Sequence, residues 1–248
     1  MKTKPTQQSV GKLREIGIQP DVLVCRCEQP MTEAMRNKIS LFCNVRPEDV
    51  IQEQDVETTI YDVPLDLVRE GLDRAVMEHL QLDNSAPIDM TDWEDLRFRW
   101  ANPEHQIEIA VVGKYIQLHD AYKSIYEALA HGGARHRTKV NFRKISAEDC
   151  ADGDVASLLA GSHGLLVPGG FGERGLEGKI RAIQWARENQ VPTFGICFGM
   201  QAMALEFGRH VAHIHGANTT EVDPDCAAPL IHLMDTQESI DDKGGTMR

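Results

Sequence analysis

Residues 191–201 read Val191-Pro192-Thr193-Phe194-Gly195-Ile196-Cys197-Phe198-Gly199-Met200-Gln201. The apolar run breaks at Gly195, turns through Cys197 and Gly199 and continues with apolar residues to Leu205, which predicts a buried strand, a sharp turn and a helix. Glycines beside a turn residue allow the backbone to fold tightly around it, as in a nucleophile elbow. A thiol at a helix N-terminus also faces oriented N–H groups that favour the thiolate. We therefore interpret Cys197 as a candidate nucleophile, although this stretch alone also fits a buried structural cysteine.

A second glycine turn lies upstream, at Pro168-Gly169-Gly170-Phe171-Gly172. It follows the apolar run 164–167 and precedes a predicted amphipathic helix that begins near Leu176. If the two strands are parallel, the two turns meet at the same edge of the sheet. The backbone N–H groups of Gly170 and Phe171 would then lie near Cys197 and could form the oxyanion hole that acyl transfer requires. A phosphate-binding or merely tight turn is the alternative.

Three motifs resemble the glutamine amidotransferase domain of the CTP synthases. They are Pro-Gly-Gly-Phe-Gly-x-Arg-Gly at 168–175, Gly-Ile-Cys-x-Gly-Met-Gln at 195–201 and Ala-Asn-Thr-Thr-Glu at 217–221. Segments 2–7, 18–21 and 41–45 are similar to the end of the ATP-dependent synthase domain of the same family. The resemblance covers essentially the whole chain and implies an internal piece of such an enzyme, with the beginning of the synthase domain and the end of the amidotransferase domain outside it.

The pattern of elements predicts an α/β fold with two domains, each a mostly parallel sheet flanked by helices. We expect residues 1–82 to be the C-terminal part of the synthase (amidoligase) domain and 83–106 to be a linker. Residues 107–248 are expected to form the amidotransferase domain, flavodoxin-like with a cysteine nucleophile elbow and truncated at its C-terminus.

Apolar periodicity predicts the individual elements. In the first domain we expect strands at 21–25 and 41–45, one helix over 63–82, and the thiols of Cys25 and Cys27 on opposite faces of a strand. In the second domain we expect strands at 107–113, 139–145, 165–167 and 193–196 and helices at 122–129, 155–159 and 176–188. The linker carries a short helix whose aromatic residues, Trp93 and Trp100 among them, are expected to pack on their neighbours; a nucleotide-stacking platform is the alternative.

The net charge and the distribution of apolar residues argue against nucleic-acid-binding and membrane proteins. The net charge of −12 disfavours nucleic-acid binding, since that depends on neutralising phosphates. No apolar run approaches the ~18 residues of a membrane span, and no signal-like segment follows Met1, so we expect a cytoplasmic protein without membrane contact. The six cysteines form no C-x-x-C pair and are interpreted as reduced thiols. A metal site at His210, His213 and His215 is a weaker alternative, and we expect no metal ligands in this chain.

The resemblance implies nucleotide contacts in the first domain. Residues that would contact UTP, and CTP as a product inhibitor, are Lys2, Thr3, Lys4, Pro5, Thr6, Gln7 and Lys38. On its residues alone, segment 2–7 is better interpreted as a charged, frayed terminus, and only the resemblance favours a nucleotide contact. Gln54, Asp55 and Val56 match a short ATP-contacting segment, although the family usually has Lys where this chain has Gln54. No phosphate-loop motif is present, so Mg²⁺ is expected to enter with ATP, held by ligands outside this chain.

In the second domain the resemblance implies a glutamine pocket formed by Gly170, Phe198, Gln201 and Glu221. Glu221 would accept from the α-ammonium group of free glutamine. A thiol nucleophile normally has a histidine base, and in the family this base belongs to a His-x-Glu pair downstream of the elbow. No histidine of this chain is followed two places on by Glu. We expect the pair beyond residue 248; substitution by His210, His213 or His215 is the alternative.

The function implied is that of a C–N bond-forming ligase, in which glutamine hydrolysed at Cys197 supplies ammonia for the ATP-dependent amination of UTP to CTP. The family forms homotetramers, and the isolated piece is expected to be inactive. Two other functions fit the residues: a stand-alone cysteine hydrolase with the same fold, and a catalytically silent nucleotide-binding protein.

Overall fold

The structure is a computed structural model that describes residues 2–83, 85–118 and 120–232. The chain divides into two compact units, Met1–Pro103 and Glu104–Arg248. Within the described residues, none of the helices combines the length and the apolar character needed to cross a bilayer.

Among its described residues, the first unit has two parallel strands and five α-helices. The elements are α1 (Lys4–Glu15), β1 (Leu23–Cys27), α2 (Glu33–Cys43), β2 (Val50–Gln54), α3 (Val63–Glu70), α4 (Leu72–His79) and α5 (Thr91–Ala101). The register of β1 and β2 runs from Leu23 opposite Val50 to Cys27 opposite Gln54. The core of this unit lies between the strands, α1 and α2, where Val10, Ile39 and Val50 are buried.

The predicted strand at 41–45 is wrong, because these residues form the end of α2 and the turn after it. The Thr32 side chain accepts a hydrogen bond from the Met35 N–H and starts the helix, and Asn44 ends it with a left-handed backbone (φ 55°). Leu41 and Phe42 are 77% and 58% exposed, so their apolar character does not mark a buried strand.

Two other expectations for this unit are also wrong. The predicted helix over 63–82 is split into α3 and α4 by Gly71, whose φ of 85° ends the first helix in the left-handed region. Cys25 and Cys27 are both buried while Arg26, between them, is exposed. Residues two apart along a strand share a face, so the two thiols point to the same side.

Helix α5 lies in the predicted linker and packs on the first unit. The indole N–H of Trp93 donates to the carbonyl of Tyr61 at 2.7 Å. The ring of Tyr61 lies 5.9 Å from that of Trp93 and 5.1 Å from that of Trp100, measured between centroids. The aromatic residues of this segment are therefore engaged in packing.

The second unit alternates strands and helices. Its elements are β3 (His105–Gly113), α6 (Lys123–Arg135), β4 (Thr138–Ser146), α7 (Ala147–Asp152), α8 (Val155–Leu159), β5 (Gly164–Val167), α9 (Leu176–Glu188), β6 (Thr193–Gly195), α10 (Phe198–His210), β7 (Ala217–Thr219) and β8 (Ala228–Ile231). Strands β3 to β6 form a parallel sheet in the order β4-β3-β5-β6, and β7 pairs with β8.

This sheet order is that of a flavodoxin-like fold, whose ligands bind at the carboxyl ends of the strands next to the switch point between its first and third strands. The α/β prediction with parallel sheets flanked by helices is confirmed. Residues 110–112 of β3 are completely buried, as expected for a strand covered on both faces. An ion pair links α9 and α10. Glu206 of α10 is 2% exposed and accepts hydrogen bonds at 2.8 to 3.2 Å from two nitrogens of Arg187 in α9.

A buried carboxylate offers a stability test in the first unit. Asp49 is 1% exposed and receives two hydrogen bonds from Arg46, at 2.7 and 3.0 Å, and it also contacts His79. Asp49→Asn should lower the free energy of unfolding by about 2 kcal/mol at pH 7, since the buried ion pair with Arg46 and the contact with His79 are lost. Arg46 keeps its more exposed carboxylate partners, Glu48 and Glu78. Urea unfolding measures this effect, with exposed Asp21→Asn as the control.

The loss of stability caused by Asp49→Asn should depend on pH. The guanidinium of Arg46, with a smaller contribution from His79, lowers the pKa of Asp49 below its ordinary value. Its contribution is therefore fully present above the unfolded-state pKa and disappears as the pH falls through the lowered folded-state pKa. If the difference in unfolding free energy between the parent protein and Asp49→Asn stayed constant down to pH 2, the stabilising role of the Asp49 carboxylate would be contradicted.

Candidate active site

Cys197 occupies a strained turn between β6 and α10. Its backbone has φ 54° and ψ −116°, a combination that non-glycine residues rarely adopt. It directly precedes α10, and its carbonyl accepts from the N–H groups of Met200 (3.0 Å) and Gln201 (3.3 Å). The cysteine is partly exposed, whereas Cys25, Cys27, Cys43 and Cys150 are buried. The turn therefore presents one thiol at the carboxyl edge of the sheet.

The glycines on either side of Cys197 are required by close backbone contacts. A β-carbon built on Gly199 would lie 1.9 Å from the carbonyl oxygen of Val167 in β5. One built on Gly195 would lie 2.6 Å from the main chain of Gly199. Only glycine fits at both positions, so the first turn of α10 lies directly against the end of β5.

In the upstream turn, Gly169 lies next to the sulfur of Cys197. A β-carbon built there would lie 3.4 Å from Cβ and 3.8 Å from Sγ of Cys197. Gly170 and Gly172 have φ of 130° and 92°, values that L side chains rarely adopt. The sequence pointed to Gly170 and Phe171 as neighbours of the thiol, but Gly169 is the residue of the turn found against Cys197.

Lys179 is the functional candidate that sequence reasoning missed most clearly. Its side chain is 0% exposed, and its ammonium group donates to the carbonyls of Pro168 (3.4 Å) and Gly170 (3.3 Å). The same group lies 5.1 Å from the ring centroid of Phe198. Burial, with a smaller contribution from the Lys114 ammonium, lowers the pKa of Lys179 to about 8, while Cys197 acts in the opposite direction. One signal was available, because position 179 falls on the apolar stripe of α9 with Leu176 and Ile183.

Two side chains from the segment after β3, those of Lys114 and Tyr122, also bond to this turn. Lys114 donates to the carbonyl of Phe171 at 2.7 Å. The Tyr122 hydroxyl donates to the carbonyl of Gly169 at 3.4 Å and accepts from the Tyr115 N–H at 3.1 Å. Every carbonyl from residue 168 to residue 171 thus accepts from a side chain, and the turn is held in one conformation.

The residues expected to bind glutamine lie around this turn. Glu221 accepts from the Gly172 N–H at 3.0 Å, which brings the loop after β7 to the turn. Gln201 is one helical turn beyond Cys197, and its buried side-chain oxygen has no hydrogen-bond partner among the described residues. Phe198 is completely buried and its ring packs 5.7 Å from that of Phe171, so only its main chain can meet a ligand.

Two of the three clustered histidines, His210 and His213, lie at the far end of α10 from Cys197. Helix α10 has 13 residues, from Phe198 next to Cys197 to His210, so Cys197 and His210 are roughly 20 Å apart. His210 contacts Glu206 at 3.3 Å, and the Ile214 N–H bonds to the Gly208 carbonyl, which keeps His213 near the same end. This geometry disfavours His210 or His213 as a base for Cys197. Among the described residues, no group of three or more His, Cys, Asp or Glu side chains could hold a metal ion.

In the first unit, four of the residues expected to contact UTP line one pocket of about 430 Å³. They are Lys2, Thr3, Lys4 and Lys38. Pro5, Thr6 and Gln7 instead form the first turns of α1, where Gln7 donates to the Thr3 hydroxyl at 3.2 Å. Three ammonium groups around one cavity favour an anionic ligand.

The segment expected to contact ATP lines a different pocket of about 290 Å³. Gln54, Asp55 and Val56 share it with Glu57, Asp62, Leu65, Asp66, Arg69 and Arg97. Arg26 pairs with Asp55 at 2.6 Å. Four carboxylates against two arginines make this lining unfavourable for phosphates.

Family models match both parts of the chain. The model described as "CTP synthase N-terminus" matches residues 1–82, and "Glutamine amidotransferase class-I" matches residues 117–248. A CTP synthase of Caldanaerobacter subterraneus subsp. tengcongensis is 54% identical over 248 residues, which are 100% of this chain and 46% of that protein. A CTP synthase of Synechococcus sp. is 50% identical over the same 248 residues, which are 45% of that protein. The chain thus spans about half the length of the curated relatives it matches.

A solved structure gives an independent comparison. The Trypanosoma brucei CTPS glutaminase domain with bound acivicin aligns with a TM-score of 0.50 and 32% sequence identity. The alignment covers 54% of this chain and 52% of that one. It agrees with the assignment of an amidotransferase fold.

The contact between Gly199 and Val167 gives a stability test of the elbow. Gly199→Ala should destabilise the protein by about 2 kcal/mol or more, because the new methyl group overlaps a strand carbonyl that cannot move freely. Gly132→Ala, on α6, is the matched control, since a β-carbon there meets nothing within 4 Å. It should be neutral or stabilise by up to about 1 kcal/mol. Equal thermal midpoints for the two variants would contradict the packing described.

Proposed function

The chain belongs to the CTP synthase family and carries a class-I glutamine amidotransferase domain, and on this premise we propose that it hydrolyses glutamine at Cys197. The observation that carries the proposal is the strained elbow, with its partly exposed thiol facing the glycine turn at 168–172. Strain of this kind is retained where it places a reacting group.

The proposed reaction is nucleophilic acyl transfer. The Cys197 thiolate attacks the side-chain carbonyl carbon of glutamine, and the carbonyl oxygen takes up the negative charge. The nitrogen of the tetrahedral intermediate takes up the proton that the Cys197 thiol released, and the intermediate expels ammonia to leave a glutamyl thioester. Water then hydrolyses the thioester to glutamate and the free thiol. The N–H groups of Gly170 and Phe171 stabilise the oxyanion, and Glu221 and Gln201 anchor the substrate.

For the whole protein, we propose the ligase reaction of the family name. ATP phosphorylates the 4-oxygen of UTP, and ammonia from the amidotransferase site displaces the phosphate to give CTP. The pocket formed by Lys2, Thr3, Lys4 and Lys38 supports a UTP site, because its cations suit a triphosphate. Mg²⁺ with ATP, a homotetramer, a cytoplasmic location and CTP as an inhibitor are parts of the same proposal. No residue of this chain is assigned to the metal.

The amidotransferase step can be tested in the whole enzyme that contains this chain. Cys197→Ala should lower glutamine-dependent CTP formation by at least about 10³-fold, since loss of a nucleophile abolishes the covalent path. CTP formation from added ammonia should stay within about 2-fold, because that reaction bypasses the thiol. Cys226→Ala, which removes the other partly exposed cysteine, is the control.

The outcomes separate the alternatives. Loss of both activities in the Cys197 variant would contradict the division of labour between two sites. Glutamine hydrolysis without any nucleotide-dependent amination in the parent enzyme would favour a stand-alone cysteine hydrolase. No hydrolysis at all would favour a silent nucleotide-binding protein.

The nucleotide site has its own test. Lys38→Met should raise the KM for UTP by about 10-fold, the factor that corresponds to ~1.4 kcal/mol, while the KM for glutamine stays unchanged. Lys12→Met is the control, because Lys12 pairs with Glu15 in α1 and does not line the pocket. An unchanged KM for UTP in the Lys38 variant would remove this lysine from the proposed site.

A further inference from the structure

Within residues 2–83, 85–118 and 120–232, Lys179 is a buried cation to which no carboxylate is hydrogen-bonded or paired. Its side chain is 0% exposed, and the charged groups that affect it are Lys114 and Cys197. Lysine is almost never fully buried unless it is paired. The groups that receive its hydrogen bonds are two main-chain oxygens of the turn, on Pro168 and Gly170.

The hydrogen bond from Lys179 to the Gly170 carbonyl also fixes the orientation of the Gly170–Phe171 peptide. In a trans peptide the C=O and the following N–H point in opposite directions. With the Gly170 carbonyl directed at the ammonium of Lys179, the N–H of Phe171 must point to the other side of that peptide. The positive charge also polarises the peptide and strengthens its N–H as a donor.

The geometry points to Lys179 as a positioning residue for glutamine hydrolysis, which holds the Gly170–Phe171 peptide so that its N–H faces the developing oxyanion. This inference rests on the proposed function of Cys197. Lys179 forms no bond to the substrate and keeps its protons throughout; the charge that develops on the substrate oxygen is met by the peptide N–H.

A purely structural role accounts poorly for a lysine at this position. Burial lowers its pKa to about 8, which means that the charged form is destabilised inside the protein. Methionine or leucine would fill the same space on the apolar face of α9 without that cost. What they would lose is the pair of hydrogen bonds to the turn.

The test uses the whole enzyme with Lys179→Met, which keeps the length of the side chain, and Lys179→Leu, which is smaller. Lys139→Met is the matched control, because Lys139 is exposed at the amino end of β4, at the opposite edge of the sheet. Three rates are measured: kcat and KM for glutamine hydrolysis, ammonia-dependent CTP formation, and alkylation of Cys197 by iodoacetamide, followed on the Cys197 peptide by mass spectrometry.

We expect kcat for glutamine hydrolysis to fall by about 10-fold or more in both Lys179 variants, approaching the loss seen when an oxyanion donor is removed. KM and the ammonia-dependent rate should change little. Alkylation forms no oxyanion, so its rate should change by less than about 3-fold. The Lys139 variant should match the parent enzyme in every measurement.

An unchanged kcat would overturn the inference. So would a parallel fall in alkylation, because Lys179 would then act on the thiol itself. Failure of both variants to fold would show a structural role and would overturn it as well. A parent enzyme that does not hydrolyse glutamine would instead remove the proposed function, and the role of Lys179 with it.

Discussion

The site depends on one close contact between main chains, where Gly199 at the start of α10 meets the carbonyl of Val167 at the end of β5. A β-carbon at position 199 would lie only 1.9 Å from the carbonyl oxygen of Val167, so the helix can approach the strand this closely only with glycine there. The approach forces Cys197 into a strained backbone conformation and brings its sulfur beside Gly169. The strain is local, and it is maintained because the sheet below it is fully packed.

Around this contact, side chains from three elements hold the turn at 168–172. Lys179 comes from α9, Lys114 and Tyr122 come from the segment between β3 and α6, and Glu221 comes from the loop after β7. A glycine-rich turn would otherwise sample many conformations. Because its carbonyls are already hydrogen-bonded, the N–H groups of the turn would need little reorganisation in the proposed reaction, which is the condition for electrostatic catalysis.

Sequence reasoning succeeded where the signal is local and periodic. The strand, turn and helix around Cys197 follow from apolar runs broken by glycine, and the parallel sheet follows from the alternation of β and α units. Helices 155–159 and 176–188 have the bounds that were expected. It failed at 41–45, where exposed apolar residues at the end of α2 imitate a strand, and at Gly71, where a single left-handed residue divides a helix. Lys179 was missed because a lysine is normally assigned to the surface, and only tertiary packing makes it buried.

The central claim is that Cys197 forms a covalent bond to the substrate while the turn holds the oxyanion. The most direct measurement is rapid acid quenching of the whole enzyme during glutamine hydrolysis, followed by mass spectrometry of its peptides. We predict a glutamyl adduct on the Cys197 peptide that forms before glutamate is released and decays with turnover. Glutamate release with the Cys197 peptide unmodified at every time, or with the adduct on another residue, would contradict the account.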